Sequence, residues 1–86
     1  MSNINQHGPI TTQGELTEDK NGNQILINFK GKAFAIDSKI GLIWNEIEKS
    51  NSYQEEIEDR LNQEYDIKPD NTRSILKKLK NAELIQ

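Results

Sequence analysis

Few side chains in this 86-residue chain are of a type that could catalyse a reaction. His7 is its only histidine, and the chain has no cysteine. General acid–base catalysis and zinc binding both need such groups held in place, so a lone histidine in a polar N-terminal segment is expected to be a bystander. No glycine-rich phosphate loop follows a candidate strand. We therefore expect a protein that is not an enzyme and has no cofactor or metal site.

The acidic residues are concentrated in the middle of the chain, where eight of the fourteen carboxylates fall between residues 46 and 66. A pair of carboxylates there could do acid–base chemistry. They lie off the apolar stripe formed by Ile57, Leu61 and Tyr65, however, and this placement favours a solvated helix face.

The basic residues are concentrated later, with five of the eleven between residues 68 and 80. On a helical wheel at about 100° per residue, Arg73, Lys77 and Lys80 cluster on one side of the apolar arc, and Leu76 lies at its border. We call these three basic residues the basic flank. Such a flank suits an acidic amphipathic peptide, with an ordinary solvated helix face as the alternative.

A short strand over residues 32–36 could act through its main chain. Its position at the end of a predicted meander leaves one edge open unless a helix or loop covers it, which is the alternative. An open edge can accept an extended peptide as an added strand, while pockets for alternate side chains give selectivity. Phe34 and Ile36 share one face of this strand. The candidate binding residues are Lys32, Ala33, Phe34, Ala35 and Ile36.

The elements that must position these residues form two halves. The first half is an antiparallel meander, with a weak strand over residues 10–18, a turn over 19–23, a clear strand over 24–29, a turn at 30–31 and the short strand over 32–36. The second half is helical. Its start signals are an N-cap at Asp37 or Ser38, a capping box at Ser52 and Glu55, and Pro69 at the first position of a third helix. The expected fold is α+β and resembles a winged helix-turn-helix, with three antiparallel strands followed by three helices.

Composition limits the chain to one small domain, which we place at residues 10–86 after a flexible tail at residues 1–9. Twelve Ile, seven Leu and two Phe provide its core. The absence of cysteine fits a reducing compartment, and the N-terminus has neither the basic nor the apolar region of a signal peptide. No apolar run is long enough to cross a membrane. We expect a cytoplasmic protein that does not bind membranes.

The sequence resembles the PqqD-like family. The run from Gly22 to Asp37 is similar to the start of these proteins, and Ile40 to Ile47, with Gly41 and Trp44, resembles their first helix. The similarity continues through residues 53–67, 71–79 and 84–85. It covers about residues 20–86, and it consists mostly of hydrophobic spacing together with one glycine and one tryptophan.

The resemblance implies that the chain is a precursor-peptide recognition element in the biosynthesis of ribosomally made, post-translationally modified peptides. In this family the leader of the precursor adds a strand to the third strand, in the cleft toward the third helix. Carried over, the strand is Lys32 to Ile36, and the facing helix residues are Arg73, Leu76, Lys77 and Lys80. The implied partner is a modifying enzyme, such as a radical S-adenosylmethionine enzyme, or a leader peptidase. Coenzyme PQQ, a lasso peptide and other modified peptides remain alternatives for the product.

A nucleic-acid-binding regulator is the alternative function. In that case the third helix would enter a groove, and Arg73, Lys77, Lys78 and Lys80 would contact phosphates. The formal net charge of −3 disfavours this function, because nucleic-acid binding depends on neutralising phosphates. We therefore expect a peptide partner and no nucleic-acid partner.

Overall fold

The structure is a computed structural model that describes residues 9–50 and 52–86. Three strands precede three helices, which confirms the predicted α+β arrangement. The elements are β1 (Gly14–Glu18), β2 (Gln24–Asn28), β3 (Ala33–Ala35), α1 (Ser38–Ser50), α2 (Gln54–Tyr65) and α3 (Pro69–Asn81). The flexible tail predicted at residues 1–9 lies, except for Pro9, outside the described residues.

The strands form one antiparallel sheet in the order β1-β2-β3. Leu26 of β2 lies directly between Leu16 of β1 and Phe34 of β3. Leu26 is fully buried, and the other two residues are partly buried against the same core. Because side chains alternate along a strand, this face of the sheet packs on the core, and Ile25 and Ile27 project from the opposite face.

Both turns of the meander contain a glycine with positive φ, as the sequence predicted. Gly22 has φ 84° and Gly31 has φ 86°, a backbone conformation that favours glycine. In the first turn, one carboxylate oxygen of Asp19 accepts hydrogen bonds from the N–H groups of Asn21 and Asn23, at 2.8 and 2.9 Å. These bonds, above all those from Asn23, lower the pKa of the Asp19 carboxyl.

Two glycines lie where the chain approaches another element closely. A Cβ atom on Gly14 would overlap the carbonyl oxygen of Ile27 in the neighbouring strand. A Cβ on Gly41 of α1 would lie 2.7 Å from the side-chain oxygen of Gln24 on β2. Helix α1 therefore packs closely on the sheet at Gly41.

Helix α1 begins after an Asp37 N-cap. Its carboxylate accepts a hydrogen bond from the N–H of Ile40 at 2.9 Å, which satisfies one of the free donors at the helix start. Ile43, Trp44 and Ile47 are fully buried or nearly so. The helical spacing of these residues thus places the only tryptophan of the chain at the centre of the core.

Helix α2 begins one residue later than the capping signal predicted. Its N-cap is Tyr53, whose N–H donates to the carboxylate of Glu56 at 3.2 Å. The expected pair of Ser52 and Glu55 is therefore wrong by one position. Ser52 instead donates its hydroxyl to the carbonyl of Ser50 at 3.3 Å.

The buried stripe of α2 is shorter than the sequence indicated. Ile57 and Leu61 are fully buried, as expected, whereas Tyr53 and Tyr65 are exposed. Both tyrosines flank the ends of the helix, and Asp66, with φ 57°, ends it directly after Tyr65. The tyrosines therefore lie beyond the part of α2 that the core covers.

The C-terminal segment pairs with the residues that precede β1. Thr12 and Ile85 form an antiparallel bridge. The N–H of Gln13 donates to the carbonyl of Leu84 at 2.7 Å, and the N–H of Gln86 donates to the carbonyl of Thr11 at 3.0 Å. The weak strand predicted over residues 10–18 is thus divided, since its first part bonds the C-terminus and only its second part joins β2.

Candidate functional site

The outer edge of β3 carries main-chain groups that point away from the sheet. The N–H of Ile36 donates to the carbonyl of Gln24, and the carbonyl of Lys32 accepts from the N–H of Asn28. In an antiparallel ladder such residues alternate with residues whose groups face outward. Ala33 and Ala35 are these alternate residues, and within the described part of the chain no strand pairs with this edge.

A groove of about 200 Å³ lies between β3 and α3. We call it the β3–α3 groove. Its lining residues are Phe34, Ala35, Ile36, Ile40, Lys78, Leu79, Ala82 and Leu84. The lining is almost entirely apolar, and it opens beside the strand edge. Three of the five strand residues predicted from the sequence, Phe34, Ala35 and Ile36, therefore meet at one site.

The side of α3 that faces this groove contains Lys78, Leu79 and Ala82. Leu79 is 4% exposed, whereas Lys78 is exposed and is the only charged residue among the described residues that line the groove. The long stem of a lysine can cover apolar surface while its ammonium group stays in water. Lys78 therefore contributes both apolar wall and positive charge.

Arg73 faces α2 rather than the groove. Its guanidinium donates two hydrogen bonds to the carboxylate of Glu58, at 3.0 and 3.1 Å. The Glu58 side chain is nearly buried, and the bonds from Arg73 lower the pKa of that carboxyl and raise the pKa of the guanidinium. A bidentate ion pair of this kind fixes the orientation of both groups. The expectation that Arg73 faces the third strand is therefore wrong.

The other residues predicted on α3 do not line the groove either. Leu76 is 3% exposed and belongs to the central core, and Lys77 and Lys80 are exposed residues outside the groove lining. The basic flank lies about 80–140° around the helix from Thr72, and the groove side lies about 20–120° in the opposite direction. The wheel identified the apolar arc and its basic side, and Arg73 on that side contacts α2 rather than the strand.

Asn28 connects the two walls of the groove. Its side-chain oxygen accepts hydrogen bonds from the N–H groups of Lys30 and Lys32, both at 3.0 Å. Its amide group donates to the carbonyl of Ala82 at 2.9 Å. One buried side chain thus holds the β2–β3 turn and the C-terminal end of α3 together.

An ion pair supports the same junction from the surface. The ammonium group of Lys30 lies 2.9 Å from the carboxylate of Glu83. Both side chains are at least half exposed, so the pair contributes little stability by itself, about 0–1 kcal/mol. The buried bonds of Asn28 therefore dominate the closure of this end of the groove.

A second lysine lies close to the groove on the strand side. The ammonium group of Lys32 lies 5.7 Å from the centre of the Phe34 ring, within the range of a cation–π contact. In residues 9–50 and 52–86, neither Lys32 nor Lys78 forms an ion pair. The lining contains no carboxylate. The groove is thus apolar inside and positive at its margin.

Sequence reasoning missed Asn28 and five of the lining residues, Ile40, Lys78, Leu79, Ala82 and Leu84. For Asn28 a signal exists, because it shares with Leu26 the strand face that packs on the core, and a polar residue there needs a partner. For Lys78 and Ala82 the signal is only their position beside Leu79 on the helical wheel. That position predicts a border of the apolar arc without identifying the neighbouring element.

Within the residues that the structure describes, no group of three or more His, Asp or Glu side chains is arranged to hold a metal ion. No helix in that part of the chain is long and apolar enough to cross a bilayer. Comparison of the chain with protein-family models, with curated proteins and with solved structures gives no significant match.

Proposed function

We propose that this protein binds the leader segment of a ribosomally made precursor peptide and presents it to a modifying or leader-cleaving enzyme. The leader adds to β3 as a fourth strand of the sheet. The observation that carries this proposal is the outward-facing main chain of Ala33 and Ala35 directly beside an apolar groove.

The strand edge provides binding that does not depend on the ligand's sequence. Ala33 and Ala35 each present one N–H donor and one carbonyl acceptor. An added strand can satisfy all four groups, and each hydrogen bond contributes about 0.5–1.5 kcal/mol net. Both alanines are exposed, so their side chains leave room for a neighbouring strand.

The β3–α3 groove provides selectivity. Side chains of an added strand alternate in direction, so every second residue of the leader points toward Phe34 and Leu79. A volume of about 200 Å³ is comparable to the engineered cavity of about 150 Å³ that holds benzene. One large apolar side chain therefore fits, and its burial contributes about 1.5–3 kcal/mol.

The resemblance to PqqD-like proteins supports the same function. In that family the leader lies on the third strand beside the third helix, and the groove occupies this position here. Chemistry is then the task of the partner enzyme. We accordingly propose that this chain is a recognition element without catalytic activity of its own.

The direct test is titration of the ¹⁵N-labelled protein with the leader peptide encoded beside its gene. We expect micromolar or tighter binding, with the largest amide shifts at Ala33 and Ala35. Unchanged amide signals at both residues on saturation would contradict strand addition.

A proline substitution isolates the contribution of the edge. Ala35→Pro removes an N–H that faces outward, so the bonds between β3 and β2 remain and leader binding is lost. Ala35→Ser keeps both the N–H and a small side chain and serves as the matched control that still binds. Ile36→Pro is unsuitable for this purpose, because its N–H donates to Gln24 inside the sheet. If Ala35→Pro folds and binds as tightly as Ala35→Ser, the edge is not the binding site.

The alternative function, nucleic-acid binding through α3, has less support from the contacts of that helix. Arg73 is held by Glu58 and also lies 3.5 Å from Asp70, so its charge is already neutralised. A duplex-DNA titration over a range of salt concentrations distinguishes the two functions. Binding that weakens steeply with salt would favour the nucleic-acid function.

A further inference from the structure

The charge around the β3–α3 groove indicates which peptides it prefers. Lys78 is the only charged residue that lines it, and Lys32 lies over the ring of Phe34. Neither lysine has a carboxylate partner within the described ranges. Two cations beside an apolar pocket favour a ligand that brings both an apolar side chain and negative charge.

The two lysines lie on opposite sides of the groove, Lys32 beside the strand and Lys78 on the helix. Asn28 bonds the carbonyl of Ala82 and the N–H of Lys32, so the C-terminal end of α3 lies beside the start of β3. Lys78 precedes Ala82 by four residues, which is about 6 Å along the helix axis. Lys78 therefore lies about one helical turn before the junction that Asn28 forms beside Lys32.

An added strand places side chains along the groove at a fixed spacing. Side chains on the same face of a strand recur every second residue, about 6.6–6.8 Å apart. A residue that points into the pocket above Leu79 thus has neighbours two positions before and after it on the same face of the strand. A carboxylate at either of these positions would face the groove margin, where the two lysines provide positive charge.

We infer that the groove selects a peptide strand in which an apolar residue is followed or preceded, two positions away, by Asp or Glu. This inference rests on the proposed function, since it describes the ligand of the same edge. The lysines are exposed, so each contributes selectivity rather than most of the affinity. Replacing one acidic residue of the peptide by its amide is expected to weaken binding about two- to fivefold at low salt, and less at high salt.

The test is a selection from a displayed library of random nine-residue peptides on the full-length protein, followed by NMR of the protein with the enriched peptides. Enriched peptides that shift the Ala33 and Ala35 amides and carry Asp or Glu two positions from an apolar residue support the inference. Enriched peptides that shift the same amides without an acidic excess overturn it, while the proposed function stands. If no enriched peptide shifts these amides, the proposed function and the inference both fail.

A charge reversal tests the assigned residue. Lys78→Glu is expected to abolish the preference for acidic peptides over their amide analogues. Lys77→Glu makes the same change of charge on an exposed residue outside the lining, and it is expected to keep that preference. Equal effects of the two variants would show that net charge rather than the groove selects the peptide, which overturns the inference. The Ala33 and Ala35 amide shifts, recorded for each variant, show whether strand addition persists.

Discussion

Replacing Asn28 by alanine is expected to destabilise the protein and to separate the two walls of the groove. The change removes three hydrogen bonds, two from main-chain N–H groups of the β2–β3 turn and one to the carbonyl of Ala82. Asn28 itself is only 4% exposed. A buried polar group that loses its hydrogen-bond partner costs about 1–3 kcal/mol. Water can reach the exposed turn, however, and replace part of the hydrogen bonding that its two N–H groups lose.

The expected loss is therefore about 2–4 kcal/mol in the free energy of unfolding. A domain of this length has a total stability of about 4–13 kcal/mol, so the variant keeps a fold but has a much lower urea midpoint. Trp44 is the only tryptophan and is fully buried, which makes its fluorescence a suitable probe. The slope of the free energy against urea concentration is expected to stay unchanged.

Two further variants identify which bonds matter. Asn28→Asp keeps the acceptor for the turn but loses the donor to Ala82, so it isolates the contact with α3. Asn45→Ala removes an asparagine that is exposed on α1 and is expected to change stability by no more than about 0.5 kcal/mol. A loss below about 0.5 kcal/mol for Asn28→Ala, or full stability for Asn28→Asp, would refute the assigned role.

The remaining predictions concern close packing and pH. Gly14→Ala is expected to lower the free energy of unfolding by about 1–3 kcal/mol, because its Cβ would overlap the backbone of β2. In Gly41→Ala the new Cβ meets only the flexible end of the Gln24 side chain, so the higher helix propensity of alanine offsets the contact. Equal urea midpoints for the two variants would contradict this difference. The pKa of Glu58 is lowered by Arg73, so the stability from this pair is complete well above pH 4.5 and is lost as the pH falls through the lower folded-state value. Urea unfolding at several pH values is expected to show a smaller acid dependence in Glu58→Gln, and an unchanged acid dependence would exclude the pair as its source.

Local signals were sufficient to predict the number, type and order of the elements. Strand alternation and turn signals over residues 10–36 predicted the meander, and helical periodicity with its start signals predicted the three helices. These patterns work because the side-chain period of a strand or helix depends only on its own backbone geometry. The strand part of the site, around Phe34, followed from the same local signals.

The helix part of the site could not be predicted in this way. Periodicity located the buried arc of α3 but is symmetric with respect to its two borders, so it does not distinguish the border with Arg73 from the border with Lys78. The choice depends on which element packs against each border. In the structure, Glu58 of α2 holds Arg73, and Asn28 of β2 holds Ala82.

By itself, then, the sequence determined an α+β domain with a short third strand and an amphipathic last helix. Only the tertiary structure decided that the C-terminus pairs with the residues before β1, that Ala33 and Ala35 carry the outward main-chain groups, and that Lys78 rather than the basic flank borders the groove. The reason is the range of the interactions. Strand and helix periods arise between near neighbours in sequence, whereas the bond from Asn28 to Ala82 joins residues that only the packed core brings together.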